Sequence, residues 1–141
     1  MDKICIINGP NLHKIGERQV EIYGKRSFDE FLVELRALFP DLIIEYRQSH
    51  HEGELIQWLH DSHSYKGIVL NAGGYTHTSV ALADAVACAH CPVVEVHLSN
   101  IYAREPFRRQ SMIAAYSTGQ ITGLGLEGYR LAVIYLVSIN K

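Results

Sequence analysis

Continuous apolar runs alternate along this chain with segments whose apolar residues recur at helical spacing. Lys3 to Asn8 carries Ile4-Cys5-Ile6-Ile7 and predicts a buried strand. Between Ser27 and Phe39, the residues Phe28, Phe31, Leu32, Leu35, Leu38 and Phe39 share one helical face. Ser27 and Glu30 supply a capping box at the start of that helix, and Pro40 ends it. Leu42 to Arg47 predicts a second strand. Ser49 and Glu52 offer a second capping box, for a helix running to about His63. Gly67 to Asn71 predicts the third strand, Thr76 to Ala89 the third helix and Val93 to Leu98 the fourth strand. Gln120 to Leu124 reads as a short fifth strand. Leu126 to Ile139 is apolar nearly all round, so periodicity alone does not separate buried helix from strand there, and its length favours helix.

Strands alternating with helices predict an α/β protein with a parallel sheet. Five such units in 141 residues suit one domain spanning the chain. The expected form is a flavodoxin-like, doubly wound five-stranded sheet in a three-layer α/β/α arrangement. In such sheets ligands bind beyond the carboxyl ends of the strands. The polar residues to interrogate are therefore Asn8 and Asn11, Asn71, and His97, Ser99 and Asn100. The connection from Gly16 to Lys25 is long for its place and carries Arg18 and Tyr23, which suits an active-site lid. Taken alone, a solvated loop with one surface arginine is the plainer reading of it.

Composition narrows the function classes. Thirteen Lys+Arg against 15 Asp+Glu give a net charge of −2, which argues against a nucleic-acid binder using a basic face. A 48% hydrophobic and 20% charged chain is globular in composition. No apolar run approaches the ~18 residues of a membrane span, and the start is too short for a signal-peptide core. Three cysteines are an odd number and too few for a disulfide framework, so a reduced cytoplasmic home is expected.

The local motifs differ in weight. Gly123-x-Gly125-x-x-Gly128 matches a dinucleotide fingerprint, but too little chain follows it for the required strand and ribose-binding acid. Glycines that let a final helix pack closely on the sheet explain it better. Cys88-Ala-His-Cys91 falls at a helix C-terminus, where the dipole opposes a thiolate, and no second pair exists to complete a zinc site. Small buried cysteines are the expectation there, and a solvated turn is the expectation for His50-His51. Glu95-Val96-His97 is more informative, because residues two apart on a strand share a face. A carboxylate beside an imidazole fixes the tautomer and favours the protonated ring, as a general acid requires. A buried polar pair that merely satisfies itself has equal standing on that observation alone.

Together these residues resemble a family. Ile7-Asn-Gly-Pro-Asn-Leu12, then Gly16-x-Arg18-x4-Tyr23-Gly24, is similar to the opening of type II 3-dehydroquinate dehydratases. So are Asn71-Ala-Gly-Gly-Tyr-Thr-His77-Thr-Ser79, Asp84, Glu95-Val-His-Leu-Ser-Asn100, Phe107-Arg108 with Ser111, and Gly119 with the final glycine cluster through Ala132. The likeness runs in order over essentially the whole chain. His13-Lys14 and Gln19-Val20 depart from the usual residues around the lid.

The resemblance implies a lyase that dehydrates 3-dehydroquinate to 3-dehydroshikimate in the shikimate pathway. It implies an enolate intermediate, no Schiff base, no metal and no organic cofactor. It assigns Tyr23 as the base with Arg18 lowering its pKa, Asn11 as the residue orienting a water at the enolate oxygen, and His97, held by Glu95, as the acid. Asn71 with the backbone of Leu98 and Ser99 would receive the substrate carboxylate, and His77 and Arg108 would hold ring hydroxyls. Asp84 would act across a subunit boundary in a homododecamer built as a tetramer of trimers. The rival classes are a non-enzymatic flavodoxin-like module and a scaffold that has lost activity. A receiver domain would want an acidic cluster where Asn8-Gly-Pro-Asn11 stands, and a nucleotide carrier would want a phosphate loop.

Overall fold

A computed structural model describes residues 1–14 and 26–139. Five strands form one parallel sheet: β1 (Asp2–Asn8), β2 (Leu42–Gln48), β3 (Gly67–Asn71), β4 (Val93–His97) and β5 (Gly119–Thr122). Their order is β2-β1-β3-β4-β5, the flavodoxin-like arrangement, whose topological switch point lies between β1 and β3. Four α-helices cover it: α1 (Phe28–Leu38), α2 (Glu52–His60), α3 (Val80–Ala87) and α4 (Glu127–Ser138). Among the described residues no helix is long and apolar enough to cross a membrane.

Strand alternation sorts the core into two layers. Ile4 and Ile6 of β1, Val69 of β3 and Val94 and Val96 of β4 pack with Phe31, Leu35, Tyr129 and Leu136 of α1 and α4. Cys5 and Ile7, with Ile68 and Leu70, pack on the other face with Leu55, Leu59, Leu82 and Val86 of α2 and α3. Both faces of the central strands are therefore buried, which is why β1 and β3 read as unbroken apolar runs. Gly128 lets α4 approach, since a Cβ there would lie 3.2 Å from Val96 and 3.4 Å from Ile121. The last glycine of the false fingerprint is thus a packing residue.

Three local expectations need correction. Ser27 caps α1 as predicted, accepting the Glu30 N–H at 3.1 Å. Ser49 does not cap α2: His51 occupies that position without a side-chain bond, while the Ser49 hydroxyl donates to Glu54 and accepts the His51 N–H. Glu52 is engaged elsewhere, accepting from the Ser79 hydroxyl, and α2 ends at His60. The predicted helix from Thr76 to Ala89 is split. Gly73–His77 forms a 3-10 turn, and Ser79 then caps α3 by accepting the Leu82 N–H at 2.9 Å. Finally, Cys88 is exposed and Cys91 half-buried, because both follow α3 rather than lie within the core.

Candidate active site

At the carboxyl edge of the sheet the switch point opens into a cavity of about 160 Å³. Its walls come from the turns that leave β1, β3 and β4. They bring together Asn11, Asn71, His77, His97, Leu98, Ser99 and Arg108, seven of the residues expected from sequence. Glu95 stands behind His97, fully buried. Asp84 is exposed on α3 and does not line the cavity of its own chain. Tyr23, Arg18 and the expected lid at 16–25 lie outside the described residues.

The β1 exit is shaped by close backbone approach. Gly9 donates to the Asn71 carbonyl at 2.7 Å, and a Cβ at Gly9 would stand 2.4 Å from the Ala72 carbonyl oxygen. Only glycine fits there. Asn11 follows with φ 67°, a left-handed conformation that asparagine tolerates better than most residues.

Asn71 is held from beneath by a buried polar chain. Its Nδ2 donates to the Tyr129 hydroxyl at 2.9 Å, and Tyr129 donates to Asn8 Oδ1 at 2.7 Å. Its Oδ1 accepts the Gly73 N–H at 3.2 Å, so the amide orientation is determined and one N–H is left over. Burial pushes the Tyr129 phenol far up, keeping it a neutral hydrogen-bonding group.

His97 Nε2 lies 2.5 Å from Glu95 Oε2, which also accepts from the Ser111 hydroxyl at 2.7 Å. Nδ1 is then the ring nitrogen available to the cavity. Burial pushes the Glu95 carboxyl up, but the bond to His97 and the charge on His97, then Ser111 and Gln120, outweigh it and leave it below the usual carboxylate value. Gln120 faces Glu95 across the β4–β5 register, yet Glu95 Oε1 and Gln120 Nε2 both stop short of a hydrogen bond. Glu95 is thus a fully enclosed carboxylate held by the His97 ring and the Ser111 hydroxyl.

The neighbouring residue, Gln110, orients the second imidazole: its carbonyl accepts from His77 Nδ1 at 2.8 Å. One loop thus sets both rings, which stack with centroids 6.4 Å apart. Burial lowers the His77 pKa, and the neighbouring His97 and Arg108 charges add to that against the Gln110 bond.

Sequence reasoning missed Arg104. It lines the cavity and donates from Nη1 to the Ser99 hydroxyl at 3.3 Å. Glu105 lies between the two arginines, 3.7 Å from Arg104 Nε and 3.2 Å from Arg108 Nε. Its own backbone N–H, then Arg108 and Arg104, hold the Glu105 carboxyl below the ordinary range. The signal in the sequence was the spacing Arg104-x3-Arg108 around an acid, which places two forks beside one another. Ser111 was noted only as part of the resemblance, and its bond to Glu95 spans 16 residues.

The profile of dehydroquinase class II matches residues 2–137. The chain belongs to the class II dehydroquinase family. A 3-dehydroquinate dehydratase of an Exiguobacterium species is 48% identical over 136 residues, covering 96% of this chain and 94% of that protein. The crystal structure of the type II dehydroquinase from Butyrivibrio crossotus superposes with a TM-score of 0.92 at 39% identity, covering 97% and 98% of the two chains. That from Propionibacterium acnes gives 0.93 at 37% identity over 99% and 98%. The family match therefore spans every element that builds the cavity.

Proposed function

We propose that this chain is a lyase that dehydrates 3-dehydroquinate to 3-dehydroshikimate in the shikimate pathway, acting at the carboxyl-edge cavity. The observation that carries the reading is the Glu95–His97 pair opening onto a cavity with two arginines, two asparagines and a second histidine. The relatives named 3-dehydroquinate dehydratase supply the substrate.

The substrate is a polyhydroxylated ketone with a carboxylate. Its dehydration removes a proton alpha to the ketone, holds an enolate and protonates a departing hydroxyl. Tyr23 is the base in this reading. A free phenol titrates near ~10, so it needs a cation, and Arg18 on the same segment supplies one. Asn11 orients a water against the enolate oxygen, an electrostatic role set before the reaction begins. His97 delivers a proton from Nδ1 to the leaving hydroxyl, while the Glu95 charge stabilises the imidazolium that precedes transfer. Asn71, with its remaining N–H, and the backbone at Leu98 and Ser99 receive the carboxylate. His77, Arg108 and Arg104 line the hydroxyl and carboxylate side with donors.

No Schiff base is formed in this reading, and neither metal nor organic cofactor takes part. Among the described residues the cavity lining contains no lysine, and Lys3 and Lys66 pair with Glu45 and Asp2 at 3.8 Å and 3.4 Å at the other end of the sheet. Assembly as a homododecamer of four trimers belongs to the same reading. Asp84 is exposed between the buried Ala83 and Ala85, where a neighbouring subunit can approach closely and receive its charge. Work in the cytoplasm rests on the odd, unpaired cysteine number.

The test is to add 3-dehydroquinate and follow the ultraviolet absorbance of the conjugated enone. A rise that persists unchanged in borohydride and chelator is expected. An absent rise, or a substrate-derived mass on a lysine after reduction, would overturn the reading.

A further inference from the structure

Among the described residues Asn11 is the single non-glycine residue with a positive φ, and it sits at the mouth of the cavity. The left-handed region is sparsely populated even for asparagine, and the surroundings of Asn11 help to hold it there. The backbone N–H of Asn11 donates to Nδ1 of His50 at 3.1 Å, across 39 residues of chain.

His50 is well placed for this. β1 and β2 leave the sheet side by side, with Asn8 opposite Gln48. Ser49 N–H then donates to the Asn8 carbonyl at 3.1 Å, and Gln48 Nε2 to the Gly9 carbonyl at 3.1 Å. The two turns are therefore tied together before His50 is reached. The Tyr75 hydroxyl donates to the His50 carbonyl at 2.9 Å, and the His13 ring packs edge-on at 4.8 Å. Among the described residues the His50 side chain does not line the cavity, and its hydrogen bond to the lining is the one to Asn11.

We propose that His50 is a positioning residue: its Nδ1 accepts the Asn11 N–H and holds Asn11 in the left-handed conformation that presents its side chain to the cavity. The role requires the tautomer that carries its proton on Nε2, because Nδ1 must accept. It goes beyond the solvated turn expected of His50-His51, and it rests on the reading that Asn11 orients a water at the enolate oxygen. Displacing such a group by an ångström is enough to cost up to roughly 10²-fold in rate.

Two variants test it. His50→Leu removes the acceptor, and His50→Asn keeps one, since Oδ1 of asparagine occupies the place of Nδ1. His50 is exposed, so neither substitution removes core packing, and circular dichroism checks the fold of each variant. In crystal structures Asn11 is expected to leave the positive-φ region in His50→Leu and to keep it in His50→Asn. In turnover of 3-dehydroquinate, His50→Leu is expected to lose roughly 10- to 100-fold in kcat with KM within about 3-fold, and His50→Asn to stay within about 3-fold of the unmodified protein. An unchanged Asn11 in His50→Leu, a kcat within about 2-fold, or equal losses in both variants would overturn the proposal. If the unmodified protein fails to turn over 3-dehydroquinate, the proposed function falls, and the crystal structures still decide what holds Asn11.

Discussion

A cavity opens at each end of the parallel sheet. At the carboxyl edge it measures about 160 Å³ and is walled by Asn11, Asn71, His77, His97, Arg104 and Arg108. At the amino edge it measures about 430 Å³ and is walled by Asp2, Lys3, Tyr65, Lys66, His90 and Cys91 among others. The larger cavity has the poorer chemistry. Its charges pair with one another, as Lys66 does with the exposed Asp2 at 3.4 Å. Burial pushes its thiol, Cys91, up to about 11, which disfavours the thiolate. Every described positive-φ residue, Asn11, Gly73, Gly123 and Gly125, lies at the other edge. So does the fully buried Glu95 carboxylate. Tight left-handed turns, enclosed charge and convergent donors, rather than volume, distinguish the carboxyl edge.

The sharpest way to break this contrast is to neutralise the enclosed charge. Glu95→Gln keeps the size of the side chain and removes the charge that stabilises the protonated His97. We expect kcat to fall about 10²–10⁴-fold, as for loss of a general acid, with KM little changed. Steady-state kinetics check this, and a kcat within a few-fold would place Glu95 among self-satisfied buried pairs.

A smaller effect is expected on the cationic wall. Arg104→Ala and Arg108→Ala each remove a charged donor from the cavity, and hydrogen bonds to charged groups are worth about 1.5–3 kcal/mol. That corresponds to KM rising roughly 10- to 100-fold. Titration calorimetry with a carboxylate-bearing substrate analogue reads the same loss without turnover. An Arg104→Ala protein that binds normally would leave Arg108 as the working fork.

How far these features were legible from sequence follows from how local each one is. β1, β3 and β4 are buried on both faces and leave a period-independent apolar run, while the edge strands β2 and β5 were readable as short apolar segments, with ends shifted by a residue or two. Glu95 and His97 were readable as a pair because strand geometry alone puts them on one face. The split at Ser79 was missed because Tyr75, Thr76 and His77 continue the helical composition, while the cap that starts α3 is a single hydroxyl. Arg104, Ser111 and His50 were missed as site residues for a common reason. Each acts through a loop contact set by the tertiary fold: His50 where the turns after β1 and β2 meet, Ser111 and Arg104 within the connection that follows β4. The roles of Tyr23 and Arg18 rest on resemblance, since both fall outside the described residues.

The smallest expected effect is on stability. Burial, with the nearby His97 and Arg108 charges, lowers the His77 pKa, so between pH 7.5 and 5.5 the unfolded chain binds the more protons at this residue. Stability from His77 is therefore present above about pH 6.5, the ordinary histidine value, and lost as pH falls. His77→Gln should make the decline in Tm over that range shallower than in the unmodified protein. An identical or steeper decline would mean that His77 is not a depressed group.

The most direct measurement sets the two ends of the sheet against each other in one assay. The enone absorbance is followed after adding 3-dehydroquinate to the unmodified protein, to His97→Asn at the carboxyl edge and to Cys91→Ala at the amino edge. Turnover is expected from the first, a loss of about 10²-fold or more from the second and an unchanged rate from the third. Full activity in His97→Asn, or its loss in Cys91→Ala, would contradict the assignment of the chemistry to the carboxyl edge.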